Sequence, residues 1–258
     1  MKKYLLIETD GPVLWIYLNR PEVKNAFNLE MAEELQKAIQ KGIKDDSVSV
    51  LVLSGRGDTF SAGGDIRLMK ETRDRKRFFL KISRIINQAV VNMQKGGKPV
   101  LAALPGYTGG IALGLALGTD IRIASTHATF NAATIRLGLV ANGGTTSFLP
   151  RLVGTARAAE ILFAGESIGA NRAEQIGLIN HVVAPEELKK VTRELALKLS
   201  QGPQQALRRL KQIFYQGLHS PLPAQLERER QAIAWSATTP DFEEGITAFL
   251  EKRKPLFK

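Results

Sequence analysis

The chain has 258 residues, a formal net charge of +11 and no cysteine. Disulfides, thiol nucleophiles and cysteine metal sites are thereby excluded, and the three histidines, His127, His181 and His219, are too scattered to suggest a metal site. The length suits one large core, or one domain with a helical appendage. The positive balance points either to a soluble basic surface or to an anionic ligand. Met1 to Ile7 opens like a secretory leader, but its apolar run ends at Glu8 and Asp10, short of an h-region. No window approaches the length of a membrane span, so a cytoplasmic protein with no membrane partner is the expectation.

In chain order, Tyr4–Thr9 and Val13–Leu18 alternate about Asp10-Gly11-Pro12 and read as a hairpin. Asn28 is placed to cap a helix running to about Lys41, with Met31, Leu35, Ala38 and Ile39 on its apolar side. Val48–Ser54 reads as a strand leading to the stretch Phe60-Ser61-Ala62-Gly63-Gly64-Asp65-Ile66. Helical spacing dominates from Ile66 to Lys95, with Phe79, Ile82, Ile85, Ile86 and Val90 inward. A dense basic cluster, Lys70 to Arg77, lies near its start and suits a nucleotide or phosphate tail as well as solvent. Pro99–Leu104 is the next strand and leads to a second glycine stretch, Gly106 to Gly114; Ile111–Gly118 reads as a short helix and Ile121–Ala124 as a strand. This repetition predicts an α/β fold with parallel strands and crossover helices. After about Pro185 the segments Glu186–Ser200, Gln204–Gly217 and Pro223–Thr238 read as amphipathic helices without strands between them. Residues 1–185 are therefore expected to form an α/β core, and 186–258 a C-terminal helical region that closes over the core or docks on another subunit.

Each glycine stretch follows an apolar strand and precedes a helix, which presents backbone N–H groups at the turn. Two such turns aimed at one point would make an oxyanion hole for a polarised carbonyl; taken singly, each is also readable as a tight turn. Between Asp74 and Glu160 the only acidic residue is Asp120, so the centre of the chain offers almost no carboxylate for proton transfer. Asp120 itself, at a strand entry, reads as structural, and Asp65 as a helix cap. A dinucleotide site fails on spacing, since no Gly-x-Gly-x-x-Gly opens a helix after the first strand. Nucleic-acid binding rests on charge alone, without a zinc-finger, RNP or basic-zipper pattern.

Several segments resemble the crotonase (enoyl-CoA hydratase/isomerase) family. They are Leu18-Asn19-Arg20-Pro21 with Asn25-Ala26-Phe27-Asn28, then Phe60–Ile66, then Gly106–Asp120. Gly138-Leu139-Val140, Gly143-Gly144-Thr145 and Leu149 to Gly154 follow, then Ala173 to Asn180, and last Phe242 to Gly245 with Glu251 to Arg253. Any one motif is weak; the ordered set spans nearly the whole chain. The resemblance implies a crotonase-like superhelix of ββα turns with a C-terminal helical trimerisation region, and a homotrimer or a hexamer of two trimers. It implies an acyl-CoA substrate, with coenzyme A entering as part of that substrate and no separate cofactor or metal, and a lyase or isomerase of fatty acid metabolism. By position, the oxyanion-hole N–H donors fall on Gly64 and Ile111, where Ile111 replaces the family's glycine. Lys24, Ala26, Ala62, Gly64, Asp65, Ile66, Arg67, Gly110 and Ile111 match substrate-lining positions.

The resemblance also shows where this chain departs. The family's two catalytic glutamates fall on Gly114 and Thr134, and an aspartate used by some relatives falls on Asn142. Neither threonine nor asparagine moves a proton near neutral pH, although each can hydrogen-bond a water or a substrate oxygen. Thioester binding is therefore the expectation and efficient hydration is not. Decarboxylation of a malonyl-type thioester, hydrolysis through a water near Thr134 and Asn142, isomerisation with a base from elsewhere, and non-catalytic acyl-CoA binding stay open.

Overall fold

Leu5–Asp10 (β1) and Val13–Leu18 (β2) form the antiparallel hairpin expected from their alternation. A computed structural model describes residues 3–257. The Asn28 side chain accepts the Met31 N–H at 2.9 Å and starts α1, Leu29–Lys44, which buries Met31, Leu35 and Ile39. Next come β3 (Val50–Gly55), β4 (Thr59–Ser61), α2 (Ile66–Glu71) and α3 (Arg75–Lys95). β5 (Val100–Leu104), β6 (Tyr107–Gly109), α4 (Ile111–Leu117), β7 (Ile121–Ser125) and β8 (Thr129–Asn131) repeat that order. They are followed by α5 (Thr145–Val153), α6 (Thr155–Ala164), β9 (Ser167–Gly169), α7 (Ala170–Gln175) and β10 (His181–Val183). The C-terminal helices are α8 (Leu188–Ser200), α9 (Gln204–Gly217), α10 (Leu222–Ser236) and α11 (Pro240–Leu250).

The strands fall into a six-stranded sheet, ordered β1-β2-β3-β5-β7-β10, and a four-stranded sheet, ordered β4-β6-β8-β9. Each pair β3/β4, β5/β6 and β7/β8 sends its first strand to the large sheet and its second to the small one. From β2 to β10 neighbours in the large sheet run parallel, as the repeated strand–helix pattern predicts. The fold is thus the α/β arrangement of ββα turns with a helical C-terminal end.

Burial on both faces explains the nearly continuous apolar runs of β2, β3 and β5. Ile16, Leu18, Leu51, Leu53, Val100 and Ala102 face one cluster with α1, α3 and α4. Trp15, Tyr17, Val50, Val52, Leu101 and Ala103 face the other, which α8 closes with Leu188 and Ala196. The first helix of the C-terminal region is therefore a layer of the core.

Two features differ from the sequence expectation. The helical stretch from Ile66 to Lys95 is two helices, because Asp74 caps a new one by accepting the Arg77 N–H at 2.9 Å, and Thr72 is extended. The inward face of α3 is Phe78, Ile82, Ile86, Ala89, Val90 and Met93, while Phe79 and Ile85 are only half-buried. The strands of the small sheet, three residues each, carry too little alternation to be read from the sequence.

A buried polar knot fastens α9 to the large sheet. Lys211 Nζ donates to Asp120 Oδ2 at 2.6 Å and to the Lys98 carbonyl at 2.7 Å. Tyr215 donates to Asp120 Oδ1 at 2.6 Å, and the Val100 N–H donates to Oδ2 at 2.7 Å. Burial pushes the Lys211 ammonium down and the Tyr215 phenol up from their ordinary pKa values. Asp120 is thus structural. Lys211→Ala strips the cation from a mostly buried pair, and urea unfolding should show a loss of about 3 kcal/mol; a loss within experimental error would mean that α9 is held by its apolar contacts alone.

Candidate active site

The first glycine turn is built against the segment 24–28. Ala62 N–H donates to the Lys24 carbonyl at 2.8 Å, Phe27 N–H to the Gly63 carbonyl at 2.7 Å, and Asp65 N–H to the Phe27 carbonyl at 3.1 Å. Gly63 N–H donates to Ser61 Oγ at 3.1 Å. Among the described residues the Gly64 N–H has no acceptor. The supporting segment is itself unusual: Lys24 and Asn25 lie at φ of 53° and 52°, in the left-handed region. The Asn25 side chain holds them there, donating to the Arg56 and Thr59 carbonyls and accepting the Arg20 N–H at 2.8 Å. Such strain persists only where surrounding bonds over-determine it.

The second turn leads from β6 into α4. Gly110 N–H donates to the Asn131 carbonyl and Leu113 N–H to the Gly110 carbonyl, both at 3.1 Å. The Ile111 and Ala112 N–H groups have no acceptor among the described residues. The parallel pairing of β4 with β6 brings the two turns into contact. A Cβ placed on Gly63, whose φ is 93°, would lie 2.7 Å from the Gly109 carbonyl oxygen. Only glycine fits there, both for the backbone angle and for the approach.

Ala62, Gly64, Ile66, Gly110, Ile111, Thr134 and Asn142 line one cavity of about 630 Å³. The sequence-predicted site residues that do not line it are Lys24, Ala26, Asp65 and Arg67. Lys24 and Arg67 are exposed. Ala26 is buried and its carbonyl accepts from Arg20 Nη1 at 2.6 Å. Asp65 caps α2 and pairs with Arg20 at 3.1 Å. The exposed basic run from Lys70 to Arg77 bridges α2 and α3, which also contribute Met69, Phe79, Ile82 and Ser83 to the cavity wall.

The wall is largely apolar, with Tyr107, Ser83, Asn131, Thr134, Arg136 and Asn142 as its polar members. Burial pushes the Tyr107 phenol above its ordinary pKa, so it stays a hydrogen donor at neutral pH. None of the described lining residues is a carboxylate. Among the described residues no group of three or more histidine, aspartate or glutamate side chains is placed to hold a metal ion.

The position of Gly114 is closed by backbone. A Cβ there would lie 2.5 Å from the Gly143 carbonyl oxygen and 2.8 Å from that of Asn142. Ser83 and Tyr107 were not singled out from the sequence. Ser83 had a signal, as a hydroxyl four residues after Phe79 on the cavity-facing stripe of α3; Tyr107 had none beyond its place in the glycine stretch.

A cavity walled by two touching glycine turns on a ββα superhelix defines a class of protein, and comparison with known proteins agrees. The Enoyl-CoA hydratase/isomerase family model matches residues 8–258. A "Trans-2-decenoyl-[acyl-carrier-protein] isomerase" of Streptococcus mutans is 32% identical, covering 99% of this chain and 98% of the relative. A "1,2-epoxyphenylacetyl-CoA isomerase" of Escherichia coli is 35% identical, covering 100% of this chain and 99% of the relative. A solved enoyl-CoA hydratase from Bacillus anthracis superposes with a TM-score of 0.94 at 29% identity, covering 99% of each chain. The chain belongs to the enoyl-CoA hydratase/isomerase family of the crotonase superfamily.

The turn contact gives a test. Gly63→Ala should cost about 2 kcal/mol or more in denaturant unfolding, from the left-handed backbone and the carbonyl clash together. Gly138→Ala, at φ 70° with open space around it, carries only the backbone penalty and should cost less. Equal losses would mean that the turns do not press on each other.

Proposed function

We propose that the cavity binds an acyl-CoA thioester, with its carbonyl oxygen accepting from the Gly64 and Ile111 N–H groups, and that the chain is an enzyme stabilising the thioester enolate. What supports this is one observation: among the N–H groups left without acceptors, those of Gly64 and Ile111 belong to touching turns whose residues line one apolar cavity. Each such donor is worth about 3–4 kcal/mol toward an oxyanion. In the same reading, Lys24, Ala26, Asp65 and Arg67 lie on the coenzyme A side, where exposed cations favour its phosphates. Exposed apolar side chains on α9 to α11, among them Phe214, Ile233 and Phe249, support the homotrimer or hexamer that the family implies.

The cavity favours reactions that make an enolate without a side-chain base. In decarboxylation of a malonyl-type thioester the bond to the carboxylate breaks, its electron pair passes into the enolate, and carbon dioxide leaves. The α-carbon then takes a proton from water. Hydration of a double bond has no such route here. A positioned acid or base contributes about 10²–10⁴ in rate, and Thr134 and Asn142 supply neither.

Incubation with a panel of acyl-CoA thioesters, read by mass spectrometry, tests the proposal; failure to bind or turn over any of them would overturn it. Crotonyl-CoA should bind yet be hydrated at least about 10²-fold more slowly than by a two-glutamate relative. Gly114→Glu should not restore the rate, because the Gly143 and Asn142 carbonyls fill the space. Ordinary hydration by the unmodified protein would show that a base reaches the cavity from elsewhere.

A second expectation concerns pH. Tyr107 and Arg136 are the only ionisable side chains among the described lining residues, and burial raises the Tyr107 pKa. The profile of kcat/KM for whichever thioester turns over should be flat from about pH 5 to 9, without the acid limb of a catalytic carboxylate. A sharp fall below about pH 6 would point to a hidden carboxylate.

A further inference from the structure

A second cavity, of about 530 Å³, opens between α3, α5 and α9, a size that suits a small molecule. Its wall is mostly apolar and includes Val90, Leu117, Phe148 and Leu218. One member is a buried cation. Arg122, on β7, lines the cavity and is only 5% exposed. Its Nε donates to the Leu178 carbonyl at 3.0 Å, and its Nη1 to the Thr119 carbonyl at 2.6 Å and the Leu117 carbonyl at 3.4 Å. Among the described residues Nη2 has no hydrogen-bond partner, and no carboxylate is bonded to the guanidinium. Burial pushes its pKa below the ordinary arginine value, but an arginine stays charged.

The other charges around the cavity do not balance this one. Asp120 is the only acid among the described lining residues, and its oxygens are already taken by Lys211, Tyr215 and the Val100 N–H. Arg151, exposed on α5, adds a second cation. Its Nη2 lies 3.4 Å from His219 Nδ1. A guanidinium only donates, so that ring nitrogen accepts and the other is left as a donor. Uncompensated positive charge on an apolar wall fits a ligand with one anionic head and an apolar body. A carboxylate suits the head, because its two oxygens match the planar fork of a guanidinium. Inorganic phosphate would gain nothing from the apolar wall, and a neutral amphiphile would bring Nη2 no charged acceptor.

We propose that this second cavity binds a small carboxylic acid with an apolar body, with Arg122 Nη2 taking the carboxylate and Arg151 adding to the attraction. The site is independent of the thioester reading, since no described residue lines both cavities.

Calorimetry with octanoate, octanamide and inorganic phosphate tests the proposal. Phe214 borders the cavity and also belongs to the proposed subunit face, so the full-length protein is used in the assembly it adopts. Octanoate should bind once per chain, at least about tenfold more tightly than octanamide or phosphate. Arg122 also holds three carbonyls, so its removal tests folding as well as binding. The exposed Arg151 and Leu218 give cleaner variants. Arg151→Ala should weaken octanoate about threefold. Leu218→Glu, which puts a carboxylate on the wall, should weaken it at least about tenfold, with circular dichroism showing both variants folded. No octanoate binding, octanamide or phosphate binding as tightly as octanoate, or an affinity unmoved by Leu218→Glu would overturn the proposal.

Discussion

The site depends on how the segment from Lys24 to Phe27 is stitched to the first glycine turn. Its carbonyls and the Ser61 hydroxyl take the N–H groups of Ala62, Gly63 and Asp65, and leave that of Gly64, a cavity-lining residue, without an acceptor among the described residues. Gly64 is half-buried on the cavity wall, so its N–H is open to water or to a ligand. The stitching is costly to the backbone, since Lys24 and Asn25 are both left-handed without being glycine. The three hydrogen bonds of the buried Asn25 side chain hold the strain in place.

The Ile111 N–H is positioned by the rest of the fold. Each ββα turn sends one strand into the buried large sheet and one into the small sheet, so β4 and β6 emerge side by side and carry their glycine turns into contact. The large sheet is rigid because both its faces are covered, by α1, α3 and α4 on one and by α8 on the other. The geometry at Gly64 and Ile111 is therefore a remote consequence of apolar burial: α8 never touches the cavity, yet it helps fix the sheet on which both turns are mounted.

The sequence made β2, β3, β5 and β7 of the large sheet legible because they are apolar runs, and the Asn28 cap and the β1–β2 hairpin because their signals are local, whereas the three-residue β10 was not read. The small sheet was hidden, since three-residue strands such as Tyr107–Gly109 show no periodicity. The break at Thr72 was hidden as well: the apolar spacing runs on across it, and only the Asp74 cap stops the helix. For the site, the glycine stretches and the family resemblance pointed to Gly64 and Ile111, and the resemblance alone to Thr134 and Asn142; the fold gathers all four on one cavity. The Ser83 hydroxyl was not legible, because its hydrogen-bond partner, Asn142, lies 59 residues away in the chain.

Residue 114 lies against a wall made of backbone. Gly143 and Gly144 lie at φ of 67° and 90°, conformations that let the chain fold inward until its carbonyls occupy the space a side chain at 114 would need. A Cβ on Gly143 would in turn meet the Ile111 side chain and carbonyl at 3.0 Å. The isoleucine at 111 and the glycines at 114 and 143 thus pack against one another, so a side chain added at 114 or 143 has to displace a neighbour. Sites in contact do not behave additively, so a substitution at any one of residues 111, 114 and 143 is expected to act through the other two.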